Sequence, residues 1–101
     1  MAWETRADNG RLRAHHALDV PMVFDNVEVV RSMTGEGPEP QAMANIMSSA
    51  WIAFANKGDP NTKELPQWPA YNNITRSTMV FDVNSYVQEK PYEEIRKILI
   101  Q

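Results

Sequence analysis

Arg11-Leu12-Arg13-Ala14-His15-His16-Ala17-Leu18-Asp19-Val20-Pro21-Met22-Val23-Phe24-Asp25-Asn26 carries the only two histidines among 101 residues. The ordinary pKa of histidine lies near neutrality, so an imidazole can take a proton in one step and return it in the next. Leu12 to Leu18 permits a turn or two of helix, and Pro21 disfavours helix at Val20. The pair is therefore predicted on a loop or a short helix, with Met22-Val23-Phe24 as an apolar anchor beneath it. Just upstream, Asp8-Asn9-Gly10 signals a turn, because Asn and Gly tolerate positive φ. Loops held by a rigid scaffold are where catalytic groups tend to sit. On residue types alone, a His-His pair on a loop is more often a solvated surface feature than a base.

Downstream, residues 33–40 hold Gly35, Gly37, Pro38 and Pro40 and read as a flexible surface connection. The strongest helix spans about 41–56. Met43, Ile46, Met47, Ala50, Trp51 and Phe54 recur at the i, i+3, i+4, i+7 spacing of one apolar face, which is expected to be core. Pro40 suits its start, Lys57 its dipole, Gly58 its left-handed cap, and Pro60 stops it. Residues 58–76 are loop, pinned by Trp68 and Tyr71 against that helix. Thr78 to Asp82 is a short strand with Met79 and Phe81 on one face. Pro91 opens a terminal helix to about Ile100, with Glu93 and Glu94 in its first turn and an apolar stripe of Tyr92, Ile95, Ile98 and Leu99.

A chain of this length is one domain at most and buries only about 60% of its unfolded surface or slightly more. Lys+Arg 10 against Asp+Glu 13, with no basic run, gives no footprint for nucleic acid or an anionic membrane. No segment approaches the roughly 20 apolar residues of a membrane helix. With no cysteine, disulfides and thiolate chemistry are excluded. His15, His16 and Asp19 lack the spacing of a recognised metal site. Asn73-Ile74-Thr75 is a glycosylation sequon, read as chance.

The run HALDVPMVFDN resembles the segment of type B carboxylesterases, the cholinesterase-like branch of the α/β-hydrolases, in which the triad histidine precedes (A/G)-L-(D/E)-(I/V)-P-F-V-F-(G/D)-N. Met47-Ser48-Ser49-Ala50-Trp51-Ile52-Ala53-Phe54-Ala55-Asn56-Lys57-Gly58-Asp59-Pro60-Asn61 resembles the SxAWIAFAxxGxPN signature of that family. Leu65-Pro66-Gln67-Trp68-Pro69-Ala70-Tyr71 and Thr78-Met79-Val80-Phe81-Asp82 follow in the family's order. The match covers nearly the whole chain but only the last fifth or so of such an enzyme. The chain departs from the pattern at Arg13, where many members have a small residue, and at Met22, where Phe is usual; both bear on the substrate pocket.

The resemblance implies an α/β class: residues 1–101 as a single partial domain, the C-terminal fragment of an α/β-hydrolase, with one long amphipathic helix, one or two short strands and a terminal helix. Ala2-Trp3-Glu4-Thr5 resembles the end of the penultimate core strand. The resemblance places the triad general base on His16 and leaves His15 as structural or pocket-lining. It assigns no substrate-binding residue, although Met22 and Phe24 could border the acyl or alcohol pocket, with packing as the default. It implies no metal and no cofactor. The nucleophile serine, the acid and the oxyanion-hole loop precede the histidine in this fold, and none of Ser32, Ser48, Ser49, Ser77 or Ser85 lies in a GxSxG elbow. The implied partners are the remaining N-terminal part of the hydrolase and a small carboxylic ester, with no nucleic acid and no membrane. Alone, the chain is expected to be inactive, and either loosely folded or self-associating through the apolar faces of 43–54 and 92–99. Animal members usually carry a disulfide here, so the absence of cysteine favours a bacterial, cytoplasmic origin. The rival readings are a non-catalytic cholinesterase-like interaction domain and an orphaned, inactive tail.

Overall fold

The longest element of the computed structural model, which describes residues 1–100, is a helix that begins and ends where its caps require. Helix α3 (Glu39–Lys57) follows α1 (Asp19–Val23) and α2 (Arg31–Thr34). Pro40 sits in its first turn, where a missing N–H costs nothing, and Gly58 closes it at φ 71 with its N–H on the Phe54 carbonyl at 2.7 Å. A β-hairpin follows, β1 (Thr78–Val80) antiparallel to β2 (Tyr86–Gln88), with Met79 opposite Val87. The chain then enters α4 (Glu93–Leu99).

The core is a layer between α3 and what lies across it. Leu18 and Met22 of the α1 region, Val27, and Met43, Ala44 and Met47 of α3 are sealed from solvent, and Met79 and Phe81 close the layer from the hairpin. Trp3 joins this core, and its indole N–H donates to the Glu39 carboxylate at 3.3 Å. Thr34 is fully buried, its hydroxyl donating to the Val27 carbonyl at 3.2 Å. The Arg31 guanidinium holds the carbonyls of Gly35 and Gly37, at 2.9 and 3.1 Å, across the connection into α3.

Several local expectations need correction. Val20 and Pro21 are helical after all, because Pro21 falls in the first turn of α1, where its ring breaks no hydrogen bond. Residues 2–5 form no strand; the amides of Ala2 and Trp3 both converge on the Phe81 carbonyl, at 2.8 and 3.3 Å. The second strand is Tyr86–Gln88 instead. Tyr71 is exposed rather than pinned, and so is every apolar residue of the α4 stripe. Trp51 and Phe54 are not core: they stand 48% and 58% exposed on the second half of α3.

These exposures have a global counterpart. The radius of gyration is 14.9 Å, against about 13 Å for a globular chain of this length. The molecule is a slab of 41 × 34 × 19 Å. Its accessible surface is 6931 Å², where a compact 11.5 kDa protein has about 5,800 Å². The surplus, about 1,100 Å², is of the order that one partner contributes to a specific interface. Among the described residues, no helix is long and apolar enough to cross a membrane.

Candidate active site

The histidines sit on a turn whose shape is set by backbone in the left-handed region. Gly10 (φ 75), Arg13 (φ 54) and Ala17 (φ 68) reverse the chain in steps, and the Leu18 amide closes on the His15 carbonyl at 3.3 Å. The Val20 amide then bonds the Ala17 carbonyl at 3.2 Å as α1 begins. Leu18, entirely buried, fastens the turn to the core. Ala17 pays for this shape, since a non-glycine residue at positive φ is strained by about 1 to 3 kcal/mol.

The two rings differ. His16 is exposed, and among the described residues no hydrogen bond reaches its imidazole. His15 is half-buried: its Nδ1 lies 2.9 Å from the His16 carbonyl oxygen, and its Nε2 is sealed from solvent without a partner. Both rings border a cavity of about 390 Å³, with Asp19 at its rim and Met47, Trp51, Trp68, Met79 and Phe81 forming an apolar wall. None of the five serines lines it, and no described cluster of three His, Asp or Glu side chains could hold a metal ion.

The aromatic wall is built from three distant parts of the chain. Phe81 from the end of β1 meets Trp51 of α3 at 6.0 Å between ring centroids and Trp68 edge-on at 5.9 Å. Trp68 is held from behind by Asn61, whose side-chain amide donates to the Trp68 carbonyl at 2.9 Å while its oxygen accepts the Trp68 N–H at 2.6 Å. Asn61 is fixed in turn by Asp59, which accepts its backbone and side-chain N–H groups at 2.9 and 2.7 Å. Those two bonds hold the Asp59 carboxyl below its ordinary range. This Asp59–Asn61–Trp68 brace lies in a proline-rich loop with no periodicity, so only the pairing of a carboxylate with Asn two residues on could have signalled it.

Of the two residues considered as pocket borders, Met22 is fully buried and packs the core. Phe24 is 74% exposed and lines a separate groove of about 500 Å³ between α1 and α3, with Val20, Val23, Trp51, Ile52 and Ala55. The groove and the histidine cavity share Trp51 and Asp19, so one continuous surface, apolar along Phe24, Trp51 and Trp68, runs past His16.

Residues 2–98 match the family model described as the carboxylesterase family. The para-nitrobenzyl esterase of Bacillus subtilis (strain 168) is 36% identical over 89 residues, which is 86% of this chain and 18% of that protein. A solved structure of a PNB esterase superimposes with a TM-score of 0.83 at 32% identity, covering 95% of this chain and 20% of the other. The carboxylesterase of Geobacillus stearothermophilus gives a TM-score of 0.73 at 40% identity over 90% of this chain and 20% of its own. The chain therefore spans about a fifth of the length of the relatives it matches. By sequence and by backbone alike, this chain belongs to the carboxylesterase family, as a portion of an α/β-hydrolase esterase.

Proposed function

We propose that the chain supplies the triad general base, His16, to a serine carboxylic-ester hydrolase whose nucleophile, acid and oxyanion hole lie in the preceding four-fifths of the enzyme. In that reaction the His16 imidazole takes the proton from the serine hydroxyl as it attacks the ester carbonyl, then returns it to the departing alcohol. The observation that carries this reading is the position of His16. It is an exposed ring, unbonded among the described residues, beside the aromatic wall of Trp51, Trp68 and Phe81 on a chain with about 1,100 Å² more surface than its mass requires. A base must reach its proton through open space, and the apolar surface gives the preceding part a place to seat. His16 is the ring available to a hydroxyl brought from outside.

Alone, the chain lacks the groups that bind and polarise an ester, so it hydrolyses one no faster than free imidazole does. The substrate class is a carboxylic ester, as the names of the relatives imply. The test is mixing with the complementary N-terminal part of the same enzyme. Saturable cleavage of a p-nitrophenyl ester by the mixture, with neither part active alone, is expected. A chain active by itself, or a mixture that assembles without turnover, contradicts the proposal.

A further inference from the structure

We propose that His15 is a positioning residue: its Nδ1–H, donated to the carbonyl of His16, holds the turn that presents His16, while its own ring takes no part in proton transfer. The catalytic side of this inference rests on the reading of His16 as the base; the structural side does not.

The His16 oxygen only accepts, so a ring nitrogen 2.9 Å away must be the donor, and His15 carries its proton on Nδ1. Nε2 is then a lone pair, and that atom is the one sealed from solvent with no partner. Both nitrogens are thereby committed, one to a bond and the other to a site closed to solvent. A ring in this state has neither a free proton to give nor an open site to receive one.

The bond also falls where the backbone needs support. The peptide group that begins at the His16 carbonyl leads directly into Ala17 at φ 68, a conformation an alanine holds only when its surroundings over-determine it. On one side the Leu18 amide fastens the turn to the His15 carbonyl. On the other, the His15 ring fixes the plane of the His16–Ala17 peptide. Two adjacent histidines therefore divide the work, one held and one free.

The 101-residue chain itself gives the first test. At mildly alkaline pH, nitrogen-15 correlation spectra are expected to place the His15 proton on Nδ1. The variant H15F keeps a ring but loses the donor, and the Leu18 and Val20 amides are expected to exchange about five- to tenfold faster. H15N, whose side-chain amide can donate at the same reach, is expected to restore most of that protection. A proton on Nε2, or unchanged exchange in H15F, overturns the proposal; if H15F does not fold, the wild-type ring decides alone. In the assembled esterase, H15F is expected to lower kcat about tenfold with KM unchanged, and H15N to recover it. Equal losses in both variants, or no loss in either, overturn the positioning role. An assembled wild-type enzyme without turnover would defeat the reading of His16 and leave the ring measurements to judge His15.

Discussion

The two halves of α3 are similarly apolar and meet opposite environments. Met43, Ala44 and Met47 are sealed beneath α1, whereas Trp51, Ile52 and Phe54, one to three turns further along, stand about half exposed or more. Periodicity marks a face as apolar; it does not say what covers it. In this chain the first half is covered by the chain itself, and the second half faces outward beside the histidine cavity and the Phe24 groove. The same contrast separates Pro21 and Met22 of α1, both buried, from α4, no residue of which is buried.

The largest expected effect separates these halves energetically. Met22→Ala or Met43→Ala empties a fully enclosed site and should cost about 2–5 kcal/mol, enough to unfold so small a domain in a urea titration. Ile52→Ser and Phe54→Ser should change stability by only about 0.5 kcal/mol while weakening self-association in sedimentation equilibrium. Comparable destabilisation from Phe54→Ser and Met22→Ala would break the contrast.

A smaller effect sharpens it from the backbone side. Because Ala17 holds φ 68, Ala17→Gly relieves strain and should raise stability by about 1 kcal/mol despite glycine's entropy. Loss of stability in thermal melts would mean that the turn is not strained.

The least effect belongs to α4. Its attachment centres on Glu93, which accepts from Arg96 at 3.1 Å and also pairs with Arg76. The Arg96 hydrogen bond, helped by the Arg76 charge, holds the Glu93 carboxyl below its ordinary value of 4.5. A depressed folded-state value means that the contribution is full above that ordinary value and is lost as pH falls through the lower one. Amide exchange across α4 should therefore rise selectively in the acid range, before the α1–α3 core responds. Simultaneous loosening of both regions would contradict this.

Much of this architecture was legible in the residues. Pro40, Lys57 and Gly58 bound α3 because caps are local chemistry, and Thr78 to Asp82 announced a strand, of which Thr78–Val80 pairs, because β-prone residues alternated there. The turn leading to the histidines was legible from Asp8-Asn9-Gly10, where Asn9 and Gly10 take the expected positive φ and Asp8 takes it as well. Burial was not: whether Trp51 and Phe54 are core depends on neighbours far away in sequence, which no local pattern encodes. Strand β2 was missed because Tyr86-Val87-Gln88 is too short to show alternation and pairs only across the Asp82–Ser85 turn. The division between the histidines was also invisible, because it depends on one ring nitrogen meeting a carbonyl and the other being sealed from solvent.

The central claim is tested most directly by comparing wild type and His16→Ala, each mixed with the preceding part of the enzyme and each confirmed by sedimentation to form the complex. The account predicts undiminished assembly with ester turnover lowered by up to about a million-fold, the cost of deleting a triad base. Turnover retained by the His16→Ala complex would contradict it.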